Sequence, residues 1–582
     1  RGSFALPDLP VSVRIDALRI DTANLGDPLF GEAATVSLTG RADLVDGAGA
    51  AELAVTRLDA EGGLTLDGRY DNATRQLRLA LEVDEPADGI AVNLLGIPER
   101  PSLQLTASGD DPIDDFEARV QLATDGQERL AGTVTLRTEG DGTARFGLDL
   151  GGDLAPVFAP AYRDFLGDSV ALRADASRDA GGALVLEDLT LTAAALRLTG
   201  LARIGADGWP ERLSLDGRIT PPAGDRVVLP LPGPPVSVTG VRLAGQFDAA
   251  RGDTWQINGT ATGVQRTGFS AERLAFSGAG EIGRSEERVA GSLQLNAAGL
   301  APADPALARA IGSDLAGRLG FDWSQGAPLR LTDIDLGGSD YGLTGALTVT
   351  GLDGAEAPLI LQPDARLRAA DLTRFGPLTG LTLSGAAQLD ISGRVAPLTG
   401  ALGLRFAGAT DDLGTGIGPL DPLLAGDGTL MLVVTRDEEG LRADPLRIET
   451  PNARISGAAD LKTGASRATL ALDIPDVAVA LPGLAGAAQL DLRVTQSGLT
   501  WKITADAALP GDSTAVLAAN LVEDSEGARR ATGRLTAEIE RLSAFSRLAG
   551  RPLSGATTLS ATGEADLDTG AYSLRAQGRT RA

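Results

Sequence analysis

The chain has 582 residues, more than one compact core usually holds, yet no Ser- or Pro-rich linker and no long charge block divides it. Its formal charge is −26, and nearly all its cations are arginines, with lysine only at Lys462 and Lys502, which argues against nucleic acid and against adsorption to anionic membrane surfaces. It has no cysteine and no histidine, which excludes disulfides, zinc–cysteine sites, thiolate nucleophiles and imidazole bases.

In chain order, the dominant signal is period-two alternation. Leu77, Leu79, Leu81 and Val83 share one face, while Arg78 and Glu82 stand on the other. Val134 and Leu136 alternate with Thr133, Thr135 and Arg137, and Phe146 and Leu148 alternate with Arg145, Gly147 and Asp149. Leu213 and Leu215 follow, and Leu430, Leu432 and Val434 continue the pattern much later. Each run predicts a strand with one dry and one wet face. Asp46-Gly47, Asp71-Asn72, Asp125-Gly126, Asp141-Gly142, Gly181-Gly182, Asp207-Gly208 and Glu439-Gly440 predict the turns between them. The fold class these signals predict is mostly β: a long antiparallel meander with a few short helices.

Two helical stripes interrupt the strands: Val157 to Leu166, broken at Pro160, and Leu307, Ile311 and Leu315 behind the Asp304-Pro305 cap. They either close a sheet margin or gate a groove. DLTRFGPLTGLTLSGAAQL at Asp371–Leu389 returns as RLSAFSRLAGRPLSGATTL at Arg541–Leu559, with Thr373 and Ser543 as expected helix caps. A looser repeat of three strands begins near Gly167-Asp168 and again near Gly426-Asp427, and its tail recurs at Tyr341–Val349. Internal repetition points to one continuous groove over residues 1–582, with approximate sub-units 1–153, 154–300, 301–370, 371–540 and 541–582. At about 13 residues per strand and turn, and about 4.8 Å per strand, it would run on the order of 200 Å.

No catalytic constellation, cofactor site or metal site emerges, and the chain is read as not an enzyme. GAGEIG at Gly278–Gly283 has dinucleotide spacing, but Arg284-Ser285-Glu286-Glu287 follows in place of an apolar helix. Asp110, Asp111, Asp114 and Asp115 offer hard oxygens to calcium or simply a solvated turn. The longest apolar run, Val477–Ala488, is too short to cross a bilayer.

What remains is the apolar face, 43% of the chain being hydrophobic and only 4% aromatic. It either fills itself, as in a β-sandwich, or lines a trough for a hydrocarbon ligand. Each buried methylene contributes roughly 0.8 kcal/mol, so some thirty methylenes of a phospholipid give on the order of 25 kcal/mol before costs. The candidate contacts are Leu77, Leu79, Leu81, Val83, Val134, Leu136, Phe146, Leu148, Leu213, Leu215, Leu430, Leu432 and Val434.

PDLPVSVRIDALRI at Pro7–Ile20, LGDPLFGEAATVSLTGRADL at Leu25–Leu44, LDGRYDNATRQLRLALEVDEPADGI at Leu66–Ile90 and LLGIPERPSLQLTASGDDPIDDF at Leu94–Phe116 resemble the TamB family. DLAPVFAPAYRDFLG at Asp153–Gly167 and the repeated L-x-x-F-x-x-L-x-G at Leu372 and Leu542 resemble it too. The resemblance implies an elongated antiparallel β-sheet curved into a taco-like apolar groove, periplasmic and related to AsmA-like and bridge-like lipid-transfer proteins, that conducts phospholipids between the inner and outer membranes of a Gram-negative bacterium. It implies inner-membrane anchoring in the full-length protein and a TamA-like outer-membrane partner of BamA type. The chain begins at Arg1 and is expected to be the middle of such a bridge, without the anchor or the partner-binding C-terminal region. A scaffold or chaperone for outer-membrane β-barrel assembly, and a structural or adhesive β-solenoid, are the alternative functions.

Overall fold

The computed structural model describes residues 6, 12–26, 33–222, 224–352, 358–523 and 529–581. Residues 7–11 and 27–32 of the quoted family-like stretches lie outside them. The described chain is mostly β, with thirty-six strands, most of them 8–15 residues long, and a few short helices. Nearly every strand whose register is resolved pairs antiparallel with its chain neighbours; around the small hairpin Val227–Val228 and Val236–Val238, Pro210–Ile219 pairs directly with Gly240–Asp248. The chain forms two compact units, residues 1–287 with 295–300, and residues 288–294 with 301–582.

In the first unit, the alternation seen in sequence sets the two faces of each strand. Along Gln76–Glu85, Leu77, Leu79, Leu81 and Val83 are half-buried while Arg78, Ala80, Glu82 and Asp84 are exposed. The polar face is tied by ion pairs between residues directly opposite in register: Asp115 with Arg137 at 2.6 Å, and Asp149 with Arg173 at 2.6 Å. Because strands alternate in direction, successive connections fall at alternate ends. One end carries tight turns such as Asp46-Gly47, where both residues have positive φ as a type I′ hairpin turn requires. The other carries the long connections 86–102, 153–169 and 220–239. The helices Ile90–Leu94 and Arg163–Leu166 lie in these connections, and so does the unit's densest burial. Val92, Ile97 and Leu103 form one cluster there; Phe165, Leu166, Val170, Val227 and Val238 belong to another.

The second unit repeats this asymmetry. Its helices Pro305–Ile311, Gly376–Thr379 and Asp421–Leu424 occupy connections at one strand end, where Leu423, Leu424, Ile455, Ile474, Val477 and Leu484 are buried together. Strand pairing on the polar face again uses register-opposed charges, Arg366 with Asp390 at 2.6 Å and Asp460 with Arg467 at 2.9 Å.

The looser repeat has a structural counterpart. Val170–Arg178, Leu184–Thr192 and Leu196–Ile204 in the first unit match, in the second, Leu315–Ser324, Leu329–Gly337 and Tyr341–Thr350, and also Asp427–Arg436, Leu441–Glu449 and Arg454–Leu461. Each triplet has a register shift at the same place in its middle strand: between Leu186 and Leu189, Leu331 and Ile334, and Ala443 and Leu446. A bulge bends its strand and strengthens the local twist, so the repeat is a repeated bend.

Two expectations about helices are corrected. The stripe Leu307, Ile311, Leu315 is not one helix: Gly312, at φ +82°, ends it, and Leu315 opens the next strand. Val157 to Leu166 begins afresh at Pro160, as its sequence suggests: a 3₁₀ turn ends at Val157, and a second, Pro160–Tyr162, runs into the four-residue helix Arg163–Leu166. In the repeated element, Thr373 is not the cap: Asp371 accepts from the Thr373 N–H, while Arg541 at the matching position caps nothing.

Candidate functional site

Cross-strand register turns the apolar alternation into continuous rows. In the first unit one row passes directly from strand to strand through Leu18, Gly40, Leu53, Leu66, Leu81, Ala107, Val120 and Gly132. It continues through Leu150, Leu172, Leu191, Leu198, Gly217, Leu243 and Gly259 to Phe276. Sixteen strands contribute, and no polar side chain interrupts the row. In the second unit an equivalent row runs from Gly317 through Leu336, Leu343, Leu367, Leu389, Gly408, Leu430, Ile448 and Ile455. It ends through Leu472, Leu490, Ala507, Ala515, Ala537 and Leu559 at Gly578.

Most of the candidate residues fall on these rows or the rows beside them. Val134, Leu148 and Leu215 share one row, through Ala174, Leu189 and Gly200. Leu136, Phe146 and Leu213 share the next, toward the hairpin end, through Ala176, Leu186 and Ala202. Leu81 lies on the sixteen-strand row, and Leu79 beside it, between Gly68 and Gly109. Val83 joins Leu64, Leu105, Leu122 and Leu130 at the connector end. Leu77 is the exception: its row runs from Tyr70 into Asp111. In the second unit Leu430, Leu432 and Val434 stand on three neighbouring rows, Leu432 between Phe406 and Leu446, and Val434 between Leu404 and Ala443.

These side chains are half-buried to exposed. Phe146 and Leu213 keep 42% and 43% of their surface, too much for the interior of a filled sandwich. A recess of about 730 Å³ is lined by Asp16, Arg19, Arg41, Glu52, Asp67 and Glu82, and also by Leu18, Gly40, Leu53, Leu66, Leu81 and Ala107 of the sixteen-strand row. Its mixed signs favour neither anion nor cation. The exposure of Phe146 and Leu213 marks the apolar face as an open surface at these rows.

Glycine is the residue type whose role on this face the alternation does not reveal. Gly40, Gly217 and Gly457 sit in apolar rows with the Cδ1 atoms of Leu53, Leu198 and Leu470 over them, at 3.4, 3.3 and 3.2 Å from where a Cβ would stand. The Phe276 ring covers Gly259 in the same way. Large and absent side chains are paired across strands, which levels the face into the smooth aliphatic surface that composition implied.

The other sequence motifs have ordinary structural places. Gly278–Gly283 closes the long strand Phe269–Gly283, with no helix of eight or more residues after it, so its glycines form no phosphate loop. Asp114 is paired with Arg75, whose hydrogen bond holds its carboxyl below the usual range, and Asp115 with Arg137. Among the described residues no helix is long and apolar enough to cross a membrane.

Compared with family models, curated proteins and solved structures, the chain matches none.

Proposed function

We propose that this chain is a lipid-conducting surface, a periplasmic bridge along which phospholipid acyl chains move between inner and outer membranes during outer-membrane biogenesis. The observation that carries the reading is the uninterrupted apolar row across sixteen successive strands in each unit. Acyl chains need no specific polar partner, only a contiguous apolar surface from which water is displaced. A row of Leu, Val, Ala and Gly provides that, and its lack of polar side chains leaves no barrier to sliding. The chain's resemblance to the TamB family supports the periplasmic setting and the TamA-like partner, and the absence of a catalytic cluster in the sequence fits transport over chemistry.

The test is lipid retention. Leu81, Leu150 and Leu198 lie on one row, several strands apart. Replacing all three by Asp places carboxylates under any chain that crosses, at a cost of roughly 2–7 kcal/mol for each polar group buried without a partner. Solvent extraction of the purified chain should show bound phospholipid in the native sequence and a marked loss in the triple variant, with circular dichroism still reporting β-structure. Thr133→Asp and Thr135→Asp, on the polar face, should retain lipid. No lipid in the native chain, or equal lipid in the triple variant, refutes the reading.

A further inference from the structure

The sheet's two margins differ, and the difference orients a ligand. All four tryptophans of the sequence lie at the hairpin ends of their strands. In the first unit, Trp255 is the second residue of Thr254–Arg266, on the apolar face between Phe247 and Gly280, and Trp209 stands in the turn that precedes Pro210–Ile219. In the second, Trp323 is the penultimate residue of Leu315–Ser324, two on from Phe321, and Trp501 is the second residue of Thr500–Leu509, opposite Gln496 and Leu521. The rows inside them are mostly aliphatic, with Phe276 and Phe406 among them. An indole has a large apolar body and one N–H donor, and it settles where an apolar surface meets a hydrated polar layer.

The opposite ends of the strands are closed. There the long connections bury Phe165, Leu166 and Val238 in the first unit and Leu423, Leu424 and Leu484 in the second. A hydrated, charged head has no place beneath such clusters, because desolvating it without partners is costly. The hairpin turns carry carboxylates, Asp141 and Asp179 in the first unit and Asp437 and Glu438 in the second, and so do the connections at the other margin, at Asp164, Asp304, Asp371, Asp421 and Asp476. With a net charge of −26 the chain as a whole attracts an ammonium group and repels a head of net negative charge.

We infer that in each unit the hairpin margin is the polar mouth, where tryptophan holds the head and ester region of a zwitterionic, ammonium-bearing phospholipid whose chains point toward the connector margin. This rests on the lipid-conducting reading and adds to it an orientation and a headgroup class. Two single-tryptophan chains test it: Trp209→Phe, Trp323→Phe and Trp501→Phe together leave Trp255, and Trp209→Phe, Trp255→Phe and Trp323→Phe together leave Trp501. Each is loaded with phosphatidylethanolamine brominated either near the ester or near the chain terminus, and bound lipid is quantified by extraction. Bromine near the ester should quench each tryptophan at least about twofold more than bromine near the terminus, as for indoles held at headgroup depth. Bound lipid with equal or reversed quenching overturns the orientation and leaves lipid conduction standing. Absence of bound lipid overturns both. The unmodified chain, with all four tryptophans at hairpin ends, is held to the same outcomes should a variant fail to fold.

Discussion

Replacing Gly393 by alanine puts a methyl group where the neighbouring strand already is. Gly393 lies in the strand Ser384–Ala396, opposite Leu404 and on the row that leads to Val434. Its φ is +144°, and an added Cβ would stand 3.0 Å from the Leu404 Cα and closer still to the Gly403 carbonyl oxygen. Both obstacles are backbone, so relief requires breaking the ladder. Backbone strain of roughly 1–3 kcal/mol, plus at least one lost ladder hydrogen bond of about 1 kcal/mol, gives on the order of 3 kcal/mol. Gly68 is the control. It lies on an apolar row between Ala51 and Leu79, its φ is not positive, and an added Cβ would meet only the Ala51 carbonyl oxygen at 3.9 Å. Gly68→Ala should therefore stabilise its strand by about 0.5–1 kcal/mol. In a stacked meander the effect stays local, so native-state hydrogen exchange is the assay. Amides of Ser384–Gly414 should exchange about 100-fold faster in Gly393→Ala, the factor that 3 kcal/mol implies, and those around Gly68 slightly slower in Gly68→Ala. Unchanged exchange at Gly393 would refute the claim that glycine is what permits the close approach of these strands.

Arg374 ties two helical connections of the second unit together: it pairs with Asp340, donates from Nη1 to the Ala310 carbonyl at 2.9 Å and stacks 4.9 Å from the Tyr341 ring centre. Arg374→Met should cost about 3 kcal/mol by leaving Asp340 without its partner, and limited proteolysis should then cut at Pro305–Ile311 first; an unchanged cleavage pattern counts against the tie. The hydrogen bond from Arg57 holds the Asp59 carboxyl down to about 2, with help from the Thr35 backbone. Because the folded value is depressed, this contribution is complete above the ordinary carboxyl value of about 4 and is lost as pH falls through about 2. The thermal midpoint of Asp59→Asn should fall less steeply than the native one across that window, and parallel curves would contradict the assignment. At low ionic strength the net charge of −26 should make the chain retain phosphatidylethanolamine over phosphatidylglycerol, and salt should narrow the gap; a preference that ignores salt is not electrostatic.

Most of the strands were legible because their signal is local. Leu79 and Leu81, or Leu430 and Leu432, alternate with polar residues in the sequence itself, and Asp46-Gly47 can hardly be anything but a turn. Alternation is silent where the period changes. In Leu184–Thr192 the leucines at 184 and 186 are out of step with those at 189 and 191, and only the bulge between Leu186 and Leu189 returns both pairs to the apolar face. Leu315 continued a helical spacing by coincidence, because the positive φ of Gly312 had already stopped the helix. Asp371 and Thr373 both carry a capping oxygen, and the two are distinguished only by which backbone N–H each side chain reaches.

The sequence by itself determined the two-faced strands, their turns and the internal repeats, since side-chain alternation and turn chemistry act over a few residues. It also determined the aliphatic character of the dry face, which is a matter of composition. The tertiary structure decided register, and register decided everything that depends on neighbours from other strands. It put Val134, Leu148 and Leu215 on one row, separated Leu77 from the others by facing it with Asp111, and matched glycines to the leucines that cover them. It also decided that the long connections close one end of the strands while every tryptophan stands at the other. Which residues meet across a sheet is fixed by pairing between strands, and no local pattern carries that information.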